Sequence, residues 1–317
     1  IAEAAREEEA EARNRAELAK ALARRKEAEA KDALAQAKEA IDAMLAAKDE
    51  TKAAQARAHA AELVKTTLQE KLREDEKLRK NEWWTRTPAE ARAAQEEAAR
   101  TSGLPVRQSV PLGGDASVSF ALVPPGEFGM GSLSTEEGRS GEELLHAVRI
   151  TRPFYMSAYE VTRAQWRALA GSLPEEAAHE QAHPEWPVTH VSFEAIQTRF
   201  LPALQEHLPA ELVCRLPTEA EWEYACRAGV NTPYCSGARP QDLLRVAWVA
   251  SNSKGTPHRA GEKPANAWGL YDMHGNVAEW CQDFYHPQYY MMGPADNPLN
   301  DRTGTHRRIE LAPVVTD

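Results

Sequence analysis

Two textures of apolar and polar positions divide the chain. From Glu3 to about Lys80 small Ala residues alternate with charged ones, and larger apolar side chains are sparse: Leu18, Leu22, Leu34, Ile41, Leu45, Leu63, Leu68 and Leu72. Neither Gly nor Pro interrupts this stretch. Ala, Glu, Lys, Arg, Gln and Leu lose little conformational freedom in a helix, so the pattern predicts one long helix. At about 1.5 Å per residue it would reach roughly 120 Å. The apolar spacing does not sustain a strict a/d heptad, and many seam positions would be Ala. An Ala-lined coiled coil, a solitary charged helix acting as a spacer, and a binding surface all fit. Pairs at i,i+4 such as Glu27 with Lys31 support the helix without choosing among these. The pattern breaks at Asn81-Glu-Trp-Trp-Thr-Arg-Thr-Pro88, and a short helix is expected from about Ala89 to Arg100. The division is therefore residues 1–85 as a long charged helix or coiled coil, 86–107 as a linker with a short helix, and 108–317 as a folded domain.

Beyond Gln108 the apolar positions come in short runs punctuated by turn residues. Ala116–Val123 alternates small or polar with apolar residues, and Pro124-Pro125-Gly126 turns it into Glu127–Ser132, which reads as a hairpin. Ala147–Thr151 and Pro153–Tyr159 follow as strand material. Thr162 stands three residues before Gln165 as a capping box for a helix carrying Trp166 and Leu169. Ser192 can cap a second helix with Phe193, Ile196 and Phe200 on one face. Thr218 and Glu221 make another box, with Trp222, Ala225 and Cys226 as the buried stripe. Strands and helices mix without a repeating βαβ period, so the expected class is α+β with irregular loops.

Composition sharpens the boundary. The first hundred residues hold 30 Ala, 22 acidic and 21 basic side chains, leaving 26 and 17 of the chain totals of 48 and 38 for residues 101–317. Almost the whole net charge of −10 thus belongs to the second part, which also holds all 17 Gly. This acidic balance argues against a nucleic-acid partner, which needs clustered Lys and Arg. No run of about 18 apolar residues exists, so no membrane span is expected. Cys214, Cys226, Cys235 and Cys281 form no C-x-x-C pair, which disfavours a zinc cluster or a disulfide framework. The chain opens Ile1-Ala-Glu-Ala with neither Met nor a leader, and is read as a segment open at both ends.

Five blocks then carry a family resemblance: Val123-Pro-Pro-Gly-Glu-Phe-Gly-Met-Gly-Ser132, Tyr159-Glu-Val-Thr-Arg-Ala-Gln-Trp166, Pro187-Val-Thr-His-Val-Ser-Phe193, Arg215-Leu-Pro-Thr-Glu-Ala-Glu-Trp-Glu-Tyr-Ala225 and Asn266-Ala-Trp-Gly-Leu-Tyr-Asp-Met-His-Gly-Asn-Val-Ala-Glu-Trp280. In this order, over about residues 108–298, they resemble the formylglycine-generating enzyme (sulfatase-modifying factor) family. The resemblance implies a C-type-lectin-like α+β fold with little regular secondary structure and bound Ca²⁺ in several members. In true formylglycine generators it implies oxidation of a substrate Cys by a copper-bound Cys pair and O₂; other members resemble non-haem iron oxygenases.

The catalytic Cys pair of such enzymes lies in a late block beginning Arg-Gly-Gly-Ser. Here Gly304-Thr305-His306-Arg307 approaches that block, but the chain continues Arg308-Ile-Glu-Leu-Ala-Pro-Val-Val-Thr-Asp317. None of the four Cys matches the pair, so neither Cu nor Fe ligands carry over and no catalytic residue is assigned. Without that block its strand is expected to be missing from the core, at a cost in stability. Cys214, Cys226 and Cys281 read as structural thiols, and Cys235, in a turn-rich stretch, is the candidate reactive one. The Ca²⁺ loop of the family matches Asp272-Met-His-Gly-Asn-Val-Ala-Glu279, where the resemblance implies side-chain oxygens from Asp272 and Glu279 and backbone carbonyls from Gly275 and Val277. The alternative is that Asp272 and Asn276 make local turn hydrogen bonds. A second Ca²⁺ site would fall near Asn252, among few acidic residues. His179-Glu-Gln-Ala-His183 fits the H-E-x-x-H zincin pattern, with Glu180 as base and His190 or Glu194 as a further ligand. Pro184 ends any helix there, which disfavours zinc.

Three functional classes follow: a metal- and O₂-dependent oxidoreductase acting on a Cys-containing protein; a C-type-lectin-like module binding a peptide or protein; and a regulatory or scaffold domain on a helical spacer, with self-association through residues 1–85. The chain as written favours binding or regulation over catalysis.

Overall fold

The computed structural model describes residues 62, 86–132, 143, 145–174, 183–286, 289–301 and 307–310. Apart from Glu62, the expected long helix of residues 1–85 lies outside the described residues, as do His179 and Glu180 of the H-E-x-x-H pattern.

The described chain starts with helix α1 (Pro88–Ser102), where Thr87 accepts from the Glu90 amide, Glu90 caps the Thr87 amide in return, and Pro88 stands at the first turn. Gly103, at φ 73°, ends it in the left-handed conformation that suits Gly. The helix is docked on the domain. Ala91, Gln95 and Ala98 are buried; Gln95 Nε2 donates to the carbonyls of Leu122 (2.7 Å) and Trp268 (3.0 Å), and Trp268 Nε1 donates to that of Ala91 (3.0 Å).

Strands β1 (Arg107–Gly113), β2 (Ala116–Val123) and β5 (Phe154–Ser157) form an antiparallel sheet in the order β1-β2-β5. Strands β3 (Gly126–Met130) and β4 (His146–Ile150) form a separate antiparallel pair. The hairpin expected between 116–123 and 127–132 is therefore not made. Pro124 and Pro125 lack amide donors and fix φ, so they separate β2 from β3 and send them into different sheets. Helix α2 (Arg163–Ala170) starts at the expected Thr162 box. After Ser192, α3 (Phe193–Ala195) passes through a π-helical turn (Ile196–Phe200) into α4 (Leu201–Gln205). Pro202 supplies the reason, because it cannot donate to the Thr198 carbonyl. Helices α5 (Glu219–Arg227) and α6 (Pro240–Val246) follow, then β6 (Glu279–Phe284), α7 (Tyr289–Met292) and β7 (Arg307–Glu310). Strand β7 pairs antiparallel with β6, aligning Trp280 with Ile309. Arg307–Glu310, in the segment that departs from the late block, thus supplies a strand beside β6.

Two apolar clusters hold these elements. One joins β3, β4 and α5 through Phe128, Val148, Tyr224 and Trp268. The other packs α2 and the π-turn on β1 and β2, with Trp166 and Phe200 stacked at 5.3 Å. Helices and strands are mixed around these cores, and the class is α+β. Among the described residues, no helix is long and apolar enough to cross a membrane.

Candidate functional site

Helix α5 organises the site. Its capping box is reinforced from outside: Arg215 forks onto Glu221 at 2.7 and 2.6 Å, and Asp283 Oδ2 accepts from the Glu219 amide at 2.8 Å. Ala220, Tyr224 and Ala225 pack inward, and Trp222 and Cys226, buried at the edge of the same core, join Glu219, Glu223 and Arg227 in lining a cleft of about 290 Å³. Met130 and Gly131 from the end of β3, His146 of β4, and Met273 and His274 from the loop before β6 face them. Tyr234 and Tyr290 complete the walls.

The polar groups of this cleft are largely committed to one another. Glu223 Oε1 accepts from Gly131 N at 2.9 Å and Arg227 Nε at 2.8 Å, and Arg227 Nη2 donates to the Gly131 carbonyl at 2.8 Å. The Tyr290 hydroxyl donates to Glu219 Oε1, and its ring stacks on His146 at 5.3 Å. His274 Nε2 accepts from the Cys235 amide at 2.9 Å. An amide can only donate, so the proton of the neutral ring sits on Nδ1. Burial, aided by the Arg227 guanidinium, pulls this imidazole down to about 4 and keeps it neutral. The Cys226 thiol donates to the Met273 carbonyl at 3.1 Å. Burial pushes Cys226 well above the ordinary thiol range and Cys235 up to about 12.

The 272–279 loop forms the floor. Gly275 N donates to the Asp272 carbonyl at 3.0 Å and Asn276 N to that of Trp248 at 2.7 Å. Asp272 and Asn276 have φ of 58° and 82°, a region these short polar residues tolerate. A Cβ on Gly275 would lie 2.2 Å from the Trp248 carbonyl oxygen, so only Gly fits there. Asp272 is fully buried; Oδ2 accepts from Gly261 N at 2.6 Å, whereas Oδ1 has no hydrogen-bond partner. Burial, with Glu262 adding to it, raises this carboxyl to about 6. Glu279 Oε2 accepts from Trp222 Nε1 at 2.6 Å, which ties the loop's far end to α5. Val277 N donates to Glu160 Oε1 at 3.3 Å, and Asn276 Nδ2 to Glu160 Oε2 at 2.6 Å. Glu160 is itself buried, and burial followed by the neighbouring Asp272 charge pushes it well above the usual carboxylate range.

Of the predicted loop residues, Asp272 and Glu279 are both buried carboxylates, and Gly275 and Val277 are held by the backbone bonds just given. Among the described residues no group of three or more His, Cys, Asp and Glu is arranged to hold a metal ion. The local-turn alternative accounts for only part of the loop: Asn276 also reaches Glu160 and the His258 amide and carbonyl. Asn252 is occupied with the Val249 amide and the Ala247 carbonyl. His183 stacks on Trp186 at 4.3 Å, and His190 is exposed. Cys226 and Cys281 are buried, with Cys214 and Cys235 half-buried. Glu160 was not anticipated as part of this loop. Its sequence signal is a lone carboxylate between Tyr159 and Val161, in the connection from β5 to α2.

An α+β domain whose central helix walls a cleft and whose Gly-containing loop buries two carboxylates belongs to a recognisable class. Residues 114–310 match the model of the sulfatase-modifying factor enzyme 1-like domain, and the chain belongs to this family. The formylglycine-generating enzyme of Streptomyces coelicolor is 28% identical over 245 residues, covering 58% of this chain and 75% of that protein. The inactive C-alpha-formylglycine-generating enzyme 2 of Mus musculus is 33% identical over 166 residues, covering 48% of this chain and 46% of its own. The serine/threonine-protein kinase pkn1 of Chlamydia caviae is 38% identical over 95 residues; these make up 29% of this chain and 15% of the kinase. The structure of PvdO from Pseudomonas aeruginosa superposes with a TM-score of 0.54 at 26% identity, covering 64% of this chain and 85% of PvdO.

Proposed function

We propose that the domain is a recognition module of the sulfatase-modifying-factor type, C-type-lectin-like in arrangement, which receives a peptide or protein segment in the α5 cleft and is carried on a helical spacer. The observation behind this is the commitment of the cleft's polar groups. Glu223 is tied to Arg227 and Gly131, Glu219 to Tyr290, and the imidazole of His274 to a backbone amide, while both thiols are kept protonated by burial. A nucleophile needs an ionised or base-activated atom, and a cleft arranged this way offers shape and hydrogen bonds instead. The mixture of relatives, including a formylglycine-generating enzyme and an inactive one, is compatible with either role.

The test uses a fluorescent Cys-containing peptide and its Ser analogue. Saturable binding of both, weakened at least tenfold by Trp222→Ala, with no aldehyde trapped by hydrazide in the presence of Cu and O₂, is the expected result. Aldehyde formation on the Cys peptide would overturn the reading in favour of the oxidoreductase.

A cation in the 272–279 loop belongs to the same proposal. The buried, unpartnered Oδ1 of Asp272 is the donor that asks for one, and Asp272, Glu279 and the carbonyls of Gly275 and Val277 would hold Ca²⁺, a hard ion suited to oxygen. Its role would be to neutralise buried carboxylates and fix the loop that presents Met273 and His274 to the cleft. Added Ca²⁺ should raise the melting temperature and Asp272→Ala should abolish the increment; equal melting of wild type in Ca²⁺ and in chelator removes the site.

A further inference from the structure

We infer that Cys226 and Cys235 are a redox-active pair that closes into a disulfide across the wall of the α5 cleft. Cys226 and Cys235 are both free thiols. These two meet at one imidazole: Cys226 Sγ lies 3.6 Å from Nδ1 and 3.7 Å from Nε2 of His274, and the Cys235 amide lies 2.9 Å from the same Nε2. The backbone of Cys235 is thus within one ring's reach of the Cys226 sulfur. A disulfide spans about 5.5–6 Å between Cα atoms, and the closing movement falls to the more adjustable partner. Cys226 is fixed on α5, in the core with Ala225 and Met273. Cys235 sits at the tip of a tight turn closed by reciprocal hydrogen bonds between Tyr234 and Gly237, both 3.1 Å, and is half-buried.

The Nε2 lone pair is taken by the Cys235 amide, which disfavours a metal held between the two sulfurs and this imidazole.

The elevated thiol basicity of both residues points the same way. A disulfide is a strong oxidant when its reduced form is stabilised as a thiolate. Here burial destabilises the thiolates, so the disulfide is slow to form and resistant to reduction once made. The co-reactant is a small-molecule disulfide such as oxidised glutathione. Cys235, the more accessible sulfur, reacts slowly through the small fraction that loses its proton at alkaline pH: that thiolate attacks one sulfur of the small disulfide, releasing one thiolate that takes up a proton. Cys226 then displaces the second thiol from the mixed disulfide. Two protein thiols lose two electrons and two protons, and one small disulfide becomes two thiols. The product covalently joins α5 to the 234–237 turn.

The experiment equilibrates the full chain overnight at pH 8.5 in glutathione buffers from fully reducing to fully oxidising, then alkylates and maps peptides without reduction. The expected outcome is a fall from four alkylated thiols to two, with a linked peptide joining Cys226 to Cys235. That peptide should be absent in Cys235→Ser and retained in Cys214→Ser. Four free thiols throughout, a glutathione adduct persisting on Cys235, or a linkage to Cys214 or Cys281 would each overturn the assignment. The wild-type map decides the matter even if a variant folds poorly, and its outcome is independent of whether the cleft binds peptide.

Discussion

Replacing Gly275 by Ala tests whether the carboxylate loop is built on close backbone approach. The added Cβ would lie 2.2 Å from the Trp248 carbonyl oxygen, 3.0 Å from its carbon and 3.3 Å from the Ala247 Cβ. The first two are backbone atoms, so no side-chain rotation relieves the contact. Either the loop moves out or the Trp248 carbonyl moves away, and in both cases the 2.7 Å bond from Asn276 N to that carbonyl is lost or lengthened. Overpacking costs about 1–3 kcal/mol and a hydrogen bond about 1 kcal/mol, giving a destabilisation of roughly 2–4 kcal/mol. For a domain of this size each kcal/mol lowers Tm by about 2–4 °C, so a drop of roughly 5–15 °C is expected. Urea unfolding should show the same loss as a lower midpoint at unchanged slope. A variant within about 0.5 kcal/mol of wild type would refute the reasoning, because it would mean that Gly275 and Trp248 are not held in contact.

Gln95→Ala removes two buried hydrogen bonds, leaves the carbonyls of Leu122 and Trp268 without that donor, and should cost about 2–3 kcal/mol in urea unfolding; a cost near zero would mean that α1 is not docked. Asp283 is buried, and desolvation raises its carboxyl to about 6, above the ordinary carboxylate value near 3.8. The folded state therefore holds the proton more tightly than the unfolded one, so stability present below pH 4 is lost as pH rises through about 6, by on the order of 2–3 kcal/mol. Asp272, raised to about 6, contributes in the same direction. Unfolding midpoints at pH 4.5 and 7.5 should differ less in Asp283→Asn than in wild type, and an unchanged difference would remove Asp283 as a source.

Local signals in the sequence were read correctly where a single turn of chain decides the outcome. Thr162 with Gln165 and Thr218 with Glu221 form both halves of their capping boxes, and Trp222, Ala225 and Cys226 form the inward stripe. Pairing was harder. The run from Ala116 to Met130 has the alternation of a hairpin, but alternation fixes which face is buried and not which neighbour is chosen. The choice lay with Phe154–Ser157 and His146–Ile150, distant in sequence, which claim β2 and β3 separately. In the same way the short helix at 88–102 was read as part of a linker because its composition is Ala- and Glu-rich. Its docking depends on Ala91, a small residue that admits close approach, and on one amide, Gln95, which finds two carbonyls brought in from residues 122 and 268.

The site shows the same division between local and distant. The pairing of Asp272 with Glu279 was suggested by a resemblance, and both are buried carboxylates. What spacing could not supply is the partner of each. Glu279 turns to Trp222 on α5, Asp272 to the Gly261 amide, and the amide of Val277 to Glu160. Glu160 is the residue that changes the electrostatics. It adds a buried carboxylate beside a loop that already holds two, with hydrogen bonds from Asn276 and Val277. Burying carboxylates is costly, and Asp272 and Glu160 respond by holding their protons more tightly. A bound cation would reverse that response, drawing both toward ionisation, so proton release on adding Ca²⁺ at pH 6, followed in a weakly buffered solution, measures the coupling directly. Release of protons from wild type and a smaller release from Asp272→Ala are expected; no release would leave the carboxylates protonated and their hydrogen bonds alone to hold the loop.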